Sequence, residues 1–306
     1  MKRKIIIVSV LFVLIIGTII LAINVNEEKD SKFNIVTSFY PMYIASLNIT
    51  NGVDGIEVAN LTREVTGCIH DYVLTTTELV TLAKADVLVI NGAGMEGFMD
   101  KVVSNFDELK IIDASEGIDI IHEECDEEHR EHEEHNHETN PHVFVSVKNY
   151  IKQVQNICDE LCKLDNKNKV KYETNTKEYI EELEKLDNEI AKSIEGLKYK
   201  NIVTFHNTFD YFAKDYGLNV VGVIETEHGK TPSAGEIASL VKNIKNNNVK
   251  AIFVDPDYSL KIVDAIAKES NVKIYVLNPV TSGENNKNEY IHIMKENLIV
   301  LKEALG

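Results

Sequence analysis

The chain has 306 residues, 44% of them apolar and 26% charged, an ordinary globular composition and a length that suits about two domains. Its formal net charge of −17 and pI near 5.0 argue against nucleic acid as a partner and favour the attraction of cations.

The N-terminus differs from the rest. Lys2, Arg3 and Lys4 precede an uncharged apolar run from Ile5 to Ile23, close to the ~20 residues that cross a bilayer. The basic flank stays inside, so the chain after Asn24 lies outside the cytoplasm. Residues 1–24 read as a signal peptide or an N-terminal membrane anchor. The run is longer than the ~7–15 residues of a signal core and no A-x-A site comes after it, which favours the anchor. No cysteine stands near its end to carry a lipid. Residues 25–32 are polar and form a tether.

Strand-like and helix-like segments then alternate, as expected of an α/β protein with mainly parallel sheets flanked by helices. FNIVTSF (33 to 39) reads as a strand, and Pro41 introduces a helix from Met42 to about Thr50. GIEVANL is a second strand, ending before a loop with Cys68 and His70. A helix over Thr77 to Lys84 leads into ADVLVIN, whose continuous apolar run suits a buried parallel strand. Gly92, Gly94 and Gly97 come next without G-x-G-x-x-G spacing, so a dinucleotide site carries little weight. LKIIDAS is a further short strand.

Beyond it lies HEECDEEHREHEEHNHETNPH, from His122 to His142. Imidazole, thiolate and carboxylate are the side chains that bind Zn²⁺, and His122, Cys125, His129, His132, His135 and His137 stand here among nine carboxylates and one Arg130. A charge run is usually a solvated loop, but solvation needs no imidazole. Residues 122–138 therefore read as a His/Glu-rich loop that contacts metal. Almost nothing apolar is present to order it.

Ser146 caps a helix, SVKNYIKQVQNICDELCKL, with Val147, Tyr150, Ile151, Val154, Ile157, Leu161 and Leu164 at helical spacing. Cys158 and Cys162 lie four apart on one face, and two buried small side chains are a better account of them than a second metal site. From Asn166 to Leu197, apolar residues from Tyr172 to Ile194 recur at helical spacing among Glu and Lys, predicting one long, partly exposed linker helix. It divides an N-terminal domain, 33–165, from a C-terminal one, 198–306. The second half repeats the pattern: NIVTF, a helix from Asn207 to Tyr216 stopped by Gly217, LNVVGVI, a helix opened by a Ser233/Glu236 capping box, KAIFVD, a helix to Ser270, VKIYVL, and a final helix from Tyr290. All five prolines fall at boundaries.

Ligands of open α/β sheets bind beyond the carboxyl ends of strands. His70, His142 and His206 occupy three such positions, two in the first half and one in the second, and could converge in a cleft between domains. Each alone is more often a hydrogen-bonding loop residue. Together they suit Zn²⁺, which prefers four tetrahedral ligands.

The chain resembles the metal-binding subunits of bacterial ABC importers for zinc and manganese, the cluster A-I or zinc-uptake type. The carriers are VTSFYPMYIAS (36 to 46), HDY within GCIHDY, ADVLVINGAGMEGFMDK, NPHVFVSVKN, TFHNTFDYFAKDYGL and TPSAGEIASLVKNIKNNNVKAIFVDPDYS, in that order. The resemblance implies two small α/β domains joined by one long helix, with the metal site in the interdomain cleft. It also implies His70, His142 and His206 as ligands. Manganese members carry Glu where His206 stands, and imidazole suits Zn²⁺ better than Mn²⁺. The fourth ligand of the family is an Asp in an LDP motif, whereas this chain reads Leu277-Asn278-Pro279. Asn offers only a neutral amide oxygen. Asn278 binds weakly, or water completes the site, or Glu225, Glu227 or His228 substitutes.

The implied function is extracytoplasmic capture of Zn²⁺ (Mn²⁺ is the alternative cargo) and delivery to an ABC permease in the membrane, by a protein that is a monomer and not an enzyme. A zinc hydrolase is the competing class, but no H-E-x-x-H is present. A purely structural metal is the third.

Overall fold

The computed structural model describes residues 32–62, 72–99, 106, 108–122, 139–225, 232–256 and 261–306. Two four-stranded sheets organise them. The first contains β1 (Phe33–Thr37), β2 (Ile56–Asn60), β3 (Val87–Ile90) and β4 (Lys110–Asp113) in the order β2-β1-β3-β4. The second contains β5 (Asn201–Thr204), β6 (Asn219–Val223), β7 (Ala251–Val254) and β8 (Lys273–Val276) in the order β6-β5-β7-β8. All pairings are parallel. The halves share one topology, and in each the chain reverses direction across the sheet at its first strand.

The helices are α1 (Tyr40–Ile49), α2 (Thr76–Leu82), α3 (Val147–Leu164), α4 (Lys169–Glu195), α5 (Asp210–Tyr216), α6 (Ala234–Asn246), α7 (Lys261–Ser270) and α8 (Glu289–Leu305). α1 begins at Tyr40 rather than Met42, with Pro41 inside a first turn whose amides need no intrahelical partner. The strand before it is correspondingly short, ending at Thr37. α2 starts behind a capping box that the sequence spells T-x-x-E: Glu78 Oε2 accepts from Thr75 N at 2.6 Å, and Thr75 Oγ1 accepts from Glu78 N at 3.4 Å. The Ser233/Glu236 box forms as expected at α6. Gly217 ends α5 in the left-handed conformation, φ 72°.

Successive residues of each strand feed opposite faces, the period-2 geometry of a pleated strand. Ile35, Val87 and Val89 enter the main core, while Val36 and Leu88 enter a smaller cluster with Leu82 of α2. Both faces of β3 are covered, which is why Val87–Ile90 reads as an unbroken apolar run. In the second sheet Val203 and Ile252 meet Ile244 and Ile266 of the outer helices.

The long helix differs from its expected form. A short 3₁₀ turn at Asn166–Asn168 precedes α4, whose 27 residues span about 40 Å. Its Tyr172, Tyr179, Leu183, Leu186, Ile190 and Ile194 are buried in one apolar cluster that also contains Ile35 and Val154 of the first half and Ile202, Phe253 and Leu298 of the second. The linker is thus a shared wall of the core. On α3, polar Gln153 is also fully buried, whereas Leu164 at the end of the predicted stripe is exposed.

Aromatic contacts tie the halves further. Tyr150 of α3 stacks on Tyr290 of α8 with centroids 3.7 Å apart and planes at 12°. Tyr290 Oη donates to Phe144 O at 2.8 Å. Tyr40 donates to Glu284 O at 2.5 Å, Tyr43 to Asn285 Oδ1 at 2.7 Å, and Asn48 Nδ2 to Lys287 O at 2.7 Å. Gly283 permits that approach, since a Cβ there would stand 2.6 Å from Tyr40 Oη. Replacing Tyr290 by Phe should cost about 1 kcal/mol through the lost hydrogen bond. Replacing it by Ala should cost about 3–5 kcal/mol through the lost stack and cavity, read as the urea unfolding free energy.

Candidate metal centre

The carboxyl ends of the strands carry the candidate groups. His142 lies on the turn before α3 and is 3% exposed, and His206 comes two residues past the end of β5 and is 6% exposed. Their ring centroids are 5.2 Å apart at an interplanar angle of 86°. Two imidazoles bound to one tetrahedral ion through bonds of about 2.0–2.1 Å place their centroids about 5 Å apart. The structure therefore brings together two of the three predicted histidines, one from each half. His70 lies outside the described residues, as do Cys68, Cys125, His129, His132, His135 and His137 and the alternative ligands Glu227 and His228. The N-terminal run and tether lie outside them too, up to residue 31. His122 is described, and it is exposed and forms an isolated antiparallel bridge with Thr139. Among the described residues no cluster of three or more His, Cys, Asp or Glu forms a metal-binding group.

Across the second sheet the strand ends form a row. Glu225 stands just past β6, and its amide donates to Phe205 O at 2.8 Å, next to His206. Asp255 stands just past β7, the neighbour of β5 on the other side, and is 8% exposed. Sequence reasoning missed Asp255, although its place directly after KAIFV is equivalent to that of His206 after NIVTF. Asn278 lies beyond β8, and its Oδ1 accepts from Val280 N at 2.8 Å. Its main chain is bracketed by Asn297, which accepts from Asn278 N at 2.8 Å and donates to Asn278 O at 2.7 Å. Val280 is held at φ 64°, rare for a β-branched residue, so this turn is over-determined by its hydrogen bonds.

In the first half the loop after β3 supports His142 from below. Gly92, Ala93 and Gly94 all have positive φ, at 76°, 56° and 88°. A Cβ on Gly92 would collide with Asp113 and Ser115. Buried within this loop, Glu96 accepts from Ser38 Oγ and Asn91 N, each at 2.7 Å, and from Gly92 N at 3.1 Å. Asn91 Nδ2 then donates to Pro141 O at 2.9 Å, and Gln153 Nε2 donates to Asn91 Oδ1 at 2.9 Å. A chain of bonds thus runs from a buried carboxylate to the peptide unit before His142. Neither Glu96 nor Gln153 announces this role in sequence, because burial of a lone polar residue is decided by distant segments.

Burial pushes the Glu96 carboxyl up to about 7, with its three donors pulling the other way. A carboxyl raised from 4.5 to about 7 stabilises the fold fully below its unfolded value, and that contribution is lost as pH rises through about 7. Between pH 5 and pH 8 the unfolding free energy should fall on the order of 1–3 kcal/mol more than it does in Glu96→Gln. Urea titrations of both proteins at the two pH values check this.

Cys158 and Cys162 are free and buried, with sulfurs 3.9 Å apart. Burial raises both thiols, Cys162 to about 12, which keeps them protonated and supports the reading of two packed side chains over a metal site.

A pair of parallel α/β sheets sharing one long helix, with imidazoles from both halves meeting near the strand ends, makes a two-lobed protein with a candidate metal centre between its halves. The chain belongs to the family of ZnuA, the zinc-uptake complex component A, periplasmic, whose model matches residues 35–304. It is 33% identical over 289 residues to the high-affinity zinc uptake system protein ZnuA of Bacillus subtilis, covering 91% of this chain and 89% of that protein. It is 31% identical over 311 residues to the zinc-binding lipoprotein AdcA of Streptococcus pneumoniae. That match takes in 97% of this chain, which spans 60% of the relative's length. Among solved structures, a crystal structure of ZnuA superposes with a TM-score of 0.77 at 27% identity, over 90% of this chain and 100% of that one. The Zn(II)-bound ZnuA-like domain of S. pneumoniae AdcA gives 0.73 at 30% identity, over 90% and 99%.

Proposed function

We propose that this chain is the extracytoplasmic, high-affinity zinc-binding subunit of an ABC metal importer, which captures Zn²⁺ and delivers it to a permease in the membrane. The observation that carries this reading is the buried pair His142 and His206, one from each half, at the separation two ligands of one ion require. His70 is the third ligand and Asn278 a weak fourth. Glu225 and Asp255, at the ends of the strands flanking β5, are the carboxylates best placed to assist. Names of relatives support zinc as the cargo: B. subtilis ZnuA belongs to a zinc uptake system, and AdcA is a zinc-binding lipoprotein.

In this reading the halves are residues 33–165 and 198–306, about the linker at 166–197. The protein is a monomer that binds no nucleic acid and catalyses no reaction, and its N-terminal apolar run holds it at the membrane surface. AdcA is a lipoprotein, whereas no cysteine stands near the end of the apolar run here, so the run itself is the attachment, and its cleavage would leave a secreted protein. The His/Glu-rich loop, residues 122–138, collects Zn²⁺ beside His142.

Competitive Zn²⁺/Mn²⁺ titration with elemental analysis, on the protein and on His206→Ala, tests the site. Zinc should be preferred, and the substitution should lower affinity by more than the roughly 10–100-fold that a supporting residue costs. A preference for Mn²⁺, or an indifferent variant, overturns the assignment. Deleting residues 122–138 should lower Zn²⁺ stoichiometry while the cleft site persists. Unchanged stoichiometry together with unchanged uptake at limiting metal removes the collecting role.

A further inference from the structure

We infer that Asn140 is a positioning residue of the centre: it sets the tautomer of His142, so that Nε2 is the nitrogen offered to the metal, and it binds the two histidine segments into one unit. The inference rests on the zinc-binding reading and deepens it.

The orientation of the Asn140 amide is settled by its neighbours. The main-chain N–H of His142 can only donate, and it meets Asn140 Oδ1 at 3.0 Å. At the other end of the amide, Nδ2 donates to the carbonyl of Asn207 at 2.9 Å and faces Asp210 Oδ2 at 3.3 Å. Turning the amide over would set an N–H against an N–H and an oxygen against two oxygens. Oδ1 therefore faces His142, and His142 Nδ1 lies 2.9 Å from it. An amide oxygen only accepts, so Nδ1 carries the proton and the lone pair is on Nε2. Asn140 is fully buried, so in the folded protein these bonds face no competition from bulk solvent.

The same residue reaches across the molecule. Asn207 is the residue after His206, so one amide holds the segments of both histidines. Its main chain joins the stem of the His/Glu-rich loop: Asn140 N donates to Ile121 O at 2.8 Å. Tyr211 Oη donates to Asn140 O at 2.7 Å and accepts from Ile121 N at 2.9 Å. Entry and exit of the loop are thus anchored on α5, in the half that carries His206.

A purely local turn would also satisfy the His142 amide, so the test reads the imidazole itself. Long-range ¹H–¹⁵N spectra of the metal-free full chain, with the His142 ring assigned by its loss in His142→Ala, should show a protonated Nδ1 and a lone-pair Nε2. In Asn140→Ala the ring should become a mixture of tautomers, and zinc affinity should fall about 10–100-fold. Asn140→Asp keeps an acceptor toward Nδ1 and should keep the proton there. Its second oxygen would face Asn207 O and Asp210, so if neither variant folds the tautomer of the unaltered protein carries the test. A lone pair on Nδ1 in the unaltered protein overturns the inference. So does an Asn140→Ala variant with unchanged tautomer and affinity, or a tautomer mixture in Asn140→Asp. The His142→Ala variant separates this from the parent reading. If it loses zinc while Asn140→Ala is indifferent, only the positioning role falls; if it binds zinc unchanged, the ligand assignment falls and takes the positioning role with it.

Discussion

The approach of His142 to His206 at the candidate metal centre depends on the apolar wall formed by α3, α4 and α8. Two histidines far apart in the chain keep a fixed separation only if the sheets that carry them are held in one relation. That relation is set by one apolar cluster, in which Tyr150 and Tyr290 stack and α4 packs against α1 and α3 of the first half and α5 and α8 of the second. A helix of about 40 Å buried along one face is a stiff element. The loop at 284–287 closes on α1 through Tyr40, Tyr43 and Asn48, so the halves are joined by hydrogen bonds as well as by apolar contact.

On this frame the site is built from successive layers of hydrogen-bonded, buried groups. The imidazoles stand at the strand ends. Behind them are neutral amides, Asn140, Asn91 and Gln153, and behind these the buried Glu96. Amides suit this position because each offers both a donor and an acceptor and so connects a carbonyl to an N–H without adding charge. A charged group so deep would perturb a dication site electrostatically. The carboxylate behind Asn91, Glu96, is ringed by donors and still raised towards neutrality. The positive-φ strain at Ala93 and at Val280 is local to these two supporting turns, where hydrogen bonds over-determine the backbone.

The acidic surface has a different physical role from the site. A net charge of −17 raises the local concentration of cations without choosing among them. Choice comes from donor type and geometry, and imidazole favours Zn²⁺ over harder ions. The described stem of the His/Glu-rich loop ends at Asn140, two residues before His142, which is the basis for proposing that the loop passes metal to the site.

Amphipathic and continuous apolar runs, capping boxes and prolines determined the kind and order of the elements, because each depends on neighbours within one or two turns. Helix α3 behind Ser146, the α6 box and the Gly217 stop were legible for that reason, and the T-x-x-E box before α2 was equally legible though passed over. The histidines were legible as candidates from their places after strands. What the tertiary structure decided was contact between distant segments: the order β2-β1-β3-β4 repeated in β6-β5-β7-β8, the approach of His142 to His206, and the burial of Glu96 and Gln153. Asn140 shows the division most clearly. In sequence it is one polar residue before a proline, but its partners Asn207 and Tyr211 stand 67 and 71 positions away, and only the packed fold brings them to it.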